Sequence, residues 1–191
     1  MAPESLTPRT KERLGCLGIL LVLVTLLIVG PKFFEVSTDR NYRNVAAKAG
    51  ATQLASGLRS YYDEYGHWPD FAGDGKILDA TGNAAILRVL TAHDETNNPR
   101  RIVFFEAAPA RKPDLTNGIT PDGVFVDPWG SPYRIILDSG GSGTIANPYP
   151  KDPNSKIQAR AIVWSLGKDG KQGAPKDEHI SQGSDDICSW K

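Results

Sequence analysis

The feature that most constrains this chain is one stretch, residues 14–65, whose pattern is that of a single helix in two different solvents. Its first part, residues 14–30, reads LGCLGILLVLVTLLIVG and carries no charge. Its second part repeats apolar and aromatic side chains at helical spacing, which indicates a helix with one buried stripe. The pattern predicts a membrane anchor, residues 14–32, that continues into an amphipathic stalk helix, residues 33–69. The predicted stripe consists of Tyr42, Val45, Ala46, Ala49, Leu54, Leu58, Tyr61, Tyr62 and Tyr65.

A cleaved signal peptide is the alternative explanation of the apolar run, because basic residues precede its apolar core. At about 1.5 Å per residue the uncharged segment spans about 25 Å, near the short end for a membrane-spanning helix. Gly30 is followed by Pro31, however, and no Ala-x-Ala-like cleavage site lies nearby. We therefore favour a retained anchor. The basic residues before it also predict, by the positive-inside rule, a cytoplasmic N-terminal segment, residues 1–13.

Charge and length limit what the remaining chain can be. The 22 Lys and Arg residues balance 22 Asp and Glu residues, so no strong positive field favours nucleic acid as a partner. About 160 residues follow the anchor, enough for one modest domain with its own core. The two cysteines, Cys16 and Cys188, lie in segments predicted to occupy different solvents. They therefore give no disulfide evidence for a compartment.

The predicted globular head, residues 70–191, contains several short elements. A helix is predicted at residues 83–92, with Asn83 as its N-cap. Residues 139–158 and 167–191 are predicted to be loops. Helix followed by short strands predicts an α+β fold, in which an antiparallel sheet lies against the stalk helix. The predicted strands, rich in β-branched and aromatic residues, are 101–106, 123–126, 133–137 and 160–166.

A turn is predicted between two of these strands. Asp127-Pro128-Trp129-Gly130 places Asp first, Pro second and Gly fourth, which are the residue types that a type I turn favours. The strands on either side of this turn are therefore predicted to form a hairpin.

Three motifs of the sequence carry a family resemblance. The apolar segment passes through Pro31-Lys32 into a stalk that ends Tyr62-Asp-Glu-Tyr-Gly-His-Trp-Pro69. The second motif is Asp127-Pro-Trp-Gly-Ser-Pro-Tyr133, and the third is Trp164-Ser-Leu-Gly-Lys-Asp-Gly170 followed by Asp186-Ile-Cys-Ser-Trp190. In order and spacing these motifs resemble the type II secretion pseudopilins, and most of all their major, G-type subunit.

The resemblance implies a pilin-like fold, with a long N-terminal membrane and stalk helix on a small antiparallel sheet. It implies a structural subunit of a type II secretion or type IV pilus-like apparatus, and no enzyme. Such a subunit would cross the bacterial inner membrane once, with its N-terminus cytoplasmic and its head periplasmic. The implied partners are membrane lipid and either copies of the chain or other pilin-like subunits, with no nucleic acid and no small-molecule substrate.

Acidic residues stand among glycines near the C-terminus. Carboxylate oxygens on such a loop suit Ca²⁺, which accepts several hard oxygen ligands in irregular geometry. On composition alone we favour a solvated Gly-rich tail, because the order of acids in an EF-hand is missing. The resemblance implies a calcium loop instead, and the family's ligand positions correspond to the Leu166 carbonyl, Asp169, Asp185 and Asp186.

Two other functions stay open. The pseudopilin processing site, with a Glu shortly after the cut, is missing, since residues 14–30 contain no acid. This favours the alternative of a membrane-tethered, calcium-stabilised binding module that does not polymerise. A tethered hydrolase that uses acids near residues 139–158 is a weaker alternative. The histidines are scattered, and no complete Gly-x-Ser-x-Gly elbow occurs.

Overall fold

The structure is a computed structural model, and it describes residues 41–73, 75–114, 116–149, 154–173 and 185–190. The predicted cytoplasmic segment and membrane anchor, residues 1–32, and the start of the predicted stalk lie outside these residues. In the part of the chain that is described, no helix has both the length and the apolar character needed to cross a membrane. The chain divides into two units, Met1–Tyr42 and Arg43–Lys191, and every described strand belongs to the second.

Residues 41–65 form the first helix, α1. The buried stripe begins differently from the prediction, because Val45 is 62% exposed and Ala49 is exposed too. From Leu54 onward the prediction is confirmed. Gly66 follows the helix at φ 72°, and its N–H donates to the Tyr62 carbonyl at 2.7 Å, a left-handed helix end that favours glycine. The fully buried stripe recurs every three or four residues, at Ala47, Ala51, Leu54, Leu58 and Tyr61.

The second helix, α2, is Ala80–Leu90, so it begins three residues before the prediction. The residue at the N-cap is Asp79, and Asn83 lies inside the helix, fully buried. The Asn83 side chain donates to the carbonyls of Phe125, at 3.1 Å, and Tyr133, at 2.8 Å, and accepts the Phe125 N–H at 2.9 Å. These three bonds satisfy the buried amide and attach α2 to the segments on either side of the Asp127 turn. The predicted hairpin does not form a ladder there, because the strands before and after this turn belong to different sheets and only an isolated bridge joins Val126 to Pro132.

Short antiparallel strands make up the rest of the described fold. They form three sheets, β1–β2, β3–β6–β7 and β4–β5, and β6 is the central strand of the largest. Helices combined with small antiparallel sheets confirm the predicted α+β class, whereas the pilin-like fold stays a prediction. The strands are β1 Gly118–Ile119, β2 Phe125–Val126, β3 Arg134–Leu137, β4 Thr144–Ala146, β5 Lys156–Gln158, β6 Ala161–Ser165 and β7 Ile187–Cys188.

Three predictions about the head are wrong. Residues 101–106 join no β-ladder, and the N–H groups of Phe104 and Phe105 donate instead to the Leu90 carbonyl at the end of α2. The predicted loop 139–158 contains the β4–β5 hairpin, and the predicted tail 167–191 contains β7. Strands of two or three residues are too short to show an alternating pattern, so the sequence gives no signal for them.

The inner face of the β3–β6–β7 sheet lies against the helices. Ile135 and Val163 stand opposite each other in the register of β3 and β6. Together with Leu137 they belong to one core that also contains Leu54 and Leu58 of α1. Successive strand residues point to opposite faces, which is why alternate positions of each strand meet the helix.

The outer face of the same sheet is buried as well. Ile136, Ile162 and Trp164 form a second core with Ile145 of β4 and with Tyr149. The β4–β5 hairpin therefore folds back over the face that points away from α1. The central strand β6 is buried at every position, as expected for a strand that is covered on both faces.

Candidate metal centre

Pairing of the last two strands brings the predicted calcium ligands to one end of the central sheet. β6 and β7 run antiparallel with Ser165 opposite Ile187, so the end of one strand meets the start of the other. We call residues 166–173 and 185–186 the metal loop. The residues between these two segments, 174–184, lie outside the described ones. The metal loop contains all four predicted ligands, Leu166, Asp169, Asp185 and Asp186.

Asp185 joins the two segments of the metal loop. Its Oδ2 accepts the backbone N–H of Lys168 at 2.6 Å and that of Asp169 at 3.1 Å. The Asp169 Oδ1 in turn accepts the N–H of Lys171 at 2.8 Å. Both carboxylates belong to exposed residues, so a cation could reach them from solvent.

Gly167 allows the two segments to approach each other. It has φ 65°, in the left-handed region that favours glycine. A Cβ added at Gly167 would lie 2.2 Å from the Asp185 carbonyl oxygen, far inside van der Waals contact. Any other residue would push Asp185 away from the turn after β6, so this position requires glycine.

Asp186 is placed differently from the other two acids, because it is only 4% exposed. Its Oδ2 accepts the N–H of Gly173 at 2.6 Å. Burial raises the pKa of the Tyr149 phenol, and interaction with the Asp186 carboxylate raises it further. The Asp186 carboxylate therefore joins the residue before β7 to the far end of the first segment of the metal loop.

The predicted turn at Asp127 supports the beginning of the metal loop. The Gly130 N–H donates to the Asp127 carbonyl at 3.0 Å, which confirms that residues 127–130 form a β-turn. The Asp127 Oδ1 accepts the N–H groups of Trp129 and Ser131, both at 2.9 Å. Its Oδ2 accepts the Ser165 hydroxyl proton at 2.5 Å.

Burial raises the pKa of the Asp127 carboxyl, and the hydrogen bonds it accepts, that from Ser165 foremost, oppose this rise. The Ser165 oxygen also accepts the N–H of Gly167 at 2.9 Å. Sequence reasoning did not identify Ser165 as part of the site. The one available signal was its position directly before Leu166, and its partner Asp127 lies 38 residues away along the chain.

The donor chemistry of the metal loop fits a hard divalent cation. It offers oxygen atoms only, from the carboxylates of Asp169, Asp185 and Asp186 and from the Leu166 carbonyl, which is the set that Ca²⁺ prefers. The arrangement of these side chains does not yet match that chemistry: among the described residues, which include Asp169, Asp185 and Asp186, no group of three Asp, Glu, His or Cys side chains could hold a metal ion. Two further acids, Asp177 and Glu178, belong to the segment that is not described. The calcium ligand set thus stays a prediction.

Side chains that could suggest hydrolysis take part in local turn bonds. The Asp138 carboxylate accepts the N–H of Ser142 at 2.9 Å and that of Gly143 at 2.6 Å, which holds the turn before β4. His67 bonds through Nδ1 to the Trp68 carbonyl at 3.1 Å. His93 bonds through Nδ1 to the Thr91 hydroxyl at 2.9 Å, in another turn.

In comparisons with family models, with curated proteins and with solved structures, none matches this chain.

Proposed function

We propose that this chain is a membrane-anchored, pseudopilin-like structural subunit of a type II secretion or type IV pilus-like apparatus, with no enzymatic activity. Its N-terminal helix would cross the bacterial inner membrane once, with residues 1–13 cytoplasmic and the head periplasmic. The observation that carries the proposal is α1, whose buried stripe lies against a small antiparallel sheet. This arrangement agrees with the fold that the three sequence motifs imply.

The exposed side of α1 supports an assembly role. A shallow and mostly apolar groove runs along it beside Ile187 of β7. Small side chains on a helix face allow another helix to approach closely. Association with copies of the chain or with other pilin-like subunits would cover this groove. It is lined by Asn44, Val45, Lys48, Ala49, Thr52, Gln53, Ser56 and Ile187.

Photo-cross-linking in membranes tests assembly. A photoreactive side chain at Thr52, in the groove, is expected to give a ladder of homo-oligomers from the full chain. The matched control is Ser60, which is exposed on the same helix and does not line the groove. A strictly monomeric pattern at both sites would favour the non-polymerising tethered module, which the missing acid in residues 14–30 also favours. A detergent-free, soluble mature chain without residues 1–30 would contradict the anchor.

Ca²⁺ is the proposed cofactor, held by the Leu166 carbonyl, Asp169, Asp185 and Asp186. The metal loop has little apolar surface of its own, and a cation would join its two segments by their oxygen atoms. Such binding contributes directly to folding free energy, because the unfolded chain has no preformed site.

A calcium titration of the full chain in detergent micelles tests the cofactor. A ligand that binds only the native state stabilises it by about 2.7 kcal/mol at a hundred times its Kd, so the melting temperature should rise with Ca²⁺. Asp169→Ala should abolish this rise. Asp122→Ala, at an exposed acid in the turn between β1 and β2, is the matched control and should keep it. No rise in the wild type would refute the cofactor, and a retained rise in Asp169→Ala would move the ligands elsewhere.

A further inference from the structure

A chain of buried hydrogen bonds connects the turn at Asp127 to the metal loop. Asp127 accepts the proton of the Ser165 hydroxyl, and the Ser165 oxygen accepts the N–H of Gly167. We propose that Asp127 and Ser165 are positioning residues, which set the direction of the Leu166 carbonyl before a cation binds. The inference rests on the proposed calcium function of the metal loop, and it concerns two residues that are not among the proposed ligands.

The Asp127 carboxylate is held in one orientation. It is fully buried, and both of its oxygen atoms accept hydrogen bonds. One oxygen binds two N–H groups of the turn, so the other is left directed at Ser165. A carboxylate with these partners cannot rotate without leaving buried donors unsatisfied, which is unfavourable.

The Ser165 hydroxyl transmits this orientation. It is fully buried and has a single proton, which it donates to Asp127. Its oxygen is therefore available as an acceptor, and the N–H of Gly167 donates to it at 2.9 Å. The buried carboxylate thus fixes the hydroxyl, and the hydroxyl fixes the Gly167 amide.

Peptide geometry carries the effect to the proposed ligand. The carbonyl of Leu166 and the N–H of Gly167 belong to the same planar peptide group, and in a trans peptide they point in opposite directions. When the N–H is held towards the Ser165 hydroxyl, the Leu166 carbonyl must point away from that hydroxyl. A carbonyl already directed in this way loses less conformational entropy when it binds a cation, so affinity is higher.

The decisive variant is Ser165→Ala in the full chain in detergent micelles. Without the hydroxyl, both Asp127 and Gly167 lose a buried partner. Ca²⁺ affinity, measured by competition with a chelator, should fall about tenfold to a hundredfold. Without calcium, the amides of Gly167, Lys168 and Asp169 should exchange hydrogen faster. Ser165→Thr keeps a hydroxyl and should restore both values towards those of the wild type.

Ser189→Ala is the matched control. Like that of Ser165, its hydroxyl accepts one backbone N–H, here that of Val163 in β6 at 3.0 Å. It bonds to none of the described residues of the Asp127 turn or the metal loop. Its Ca²⁺ affinity should stay within about twofold of the wild type, a difference well under the tenfold expected from a lost positioning bond. A melting curve of each variant separates loss of fold from loss of positioning.

The two proposals fail in different ways. If the wild type binds Ca²⁺ and folded Ser165→Ala binds it equally well, the positioning role is wrong and the cofactor stands. If the wild type binds no Ca²⁺, the cofactor is wrong, and amide exchange alone decides the positioning role. Faster exchange confined to the metal loop of Ser165→Ala supports that role, and unchanged exchange overturns it.

Discussion

The central sheet has one face against helices and the other against a hairpin, and the two covers are built differently. The inner cover is a long helix, α1, whose stripe fills the core with Leu54, Leu58 and Tyr61, all fully buried. The outer cover is the β4–β5 hairpin, which contributes Ile145 and Tyr149 to a smaller core. A long helix thus covers the inner face of the central sheet, and two strands of three residues each cover the outer face.

From this difference we expect the two covers to differ in folding cooperativity, although both bury a face of the sheet. The strands are buried on both faces, but the hairpin is attached through one small core and through turn bonds such as those of Asp138. Elements with few apolar contacts open at lower free energy than the global fold. We therefore expect the outer cover to open locally, while the helix and the sheet remain together.

Leu58→Ala should have the largest effect, because Leu58 is fully buried in the inner core. Its truncation leaves a cavity, and the free energy of unfolding of the full chain should fall by about 3 kcal/mol. Chemical unfolding measures this loss. Val45→Ala, on the same helix at 62% exposure, is the control and should change stability by about 0.5 kcal/mol or less. Equal losses would contradict the role of the stripe.

Ile145→Ala should have a smaller effect, about 2 kcal/mol, since the hairpin can move to close part of the cavity. Hydrogen exchange should become faster in the amides of β4 and β5 and change little in β3 and β6. Lys156→Ala, at an exposed position of β5, is the control. Uniformly faster exchange over the whole sheet would show instead that the outer cover unfolds together with the inner one.

The smallest expected effects concern two aspartates, one in the turn after α2 and one in the turn before β3. The Asn97 Nδ2 donates to the Asp94 Oδ2 at 2.8 Å, and this hydrogen bond is the main cause that lowers the pKa of Asp94 below 3.8. Burial raises the pKa of Asp127 above the same value. Stability from Asp94 is therefore present above pH 3.8 and lost as the pH falls through its folded pKa. Stability from Asp127 is present below pH 3.8 and lost as the pH rises through its folded pKa.

Asp94→Asn and Asp127→Asn test these opposite signs. The stability difference between the wild type and Asp94→Asn should grow as the pH rises through the folded pKa of Asp94. The corresponding difference for Asp127→Asn should shrink as the pH rises through the folded pKa of Asp127. Unfolding by denaturant at a series of pH values measures both. Slopes of the same sign would contradict the environments assigned to these two carboxyls.

Local signals in the sequence were enough to predict most of α1, which is the inner cover of the central sheet. The end of α1 follows from Gly66, which can adopt the left-handed conformation, and most of the stripe follows from helical spacing. The turn at Asp127 follows from residues that each favour one position of a β-turn. Three predicted strands are confirmed within a residue or two, as β2, β3 and β6.

Local signals could not predict contacts between residues that are far apart in the sequence. Asn83 has the residue type of a helix cap, and only its bonds to Phe125 and Tyr133, more than 40 residues away, explain why it is buried inside α2. The segment 101–106 has strand composition but lacks a strand partner, because the N–H groups of Phe104 and Phe105 bond to the end of α2. At the metal loop, the sequence indicated the acids, while the bond between Asp127 and Ser165 depends on the register of β3 and β6.

A hydrogen bond from Lys48 to the edge of the central sheet bears on aggregation. β7 is an edge strand of the central sheet, and the Lys48 ammonium donates to its Cys188 carbonyl at 2.6 Å. Open strand edges invite uncontrolled pairing with other chains, and a lysine at the edge is one way in which proteins prevent it. A foreign strand would have to displace this charge before it could extend the sheet. We therefore expect crowded copies of the chain to resist fibril-like stacking through β7.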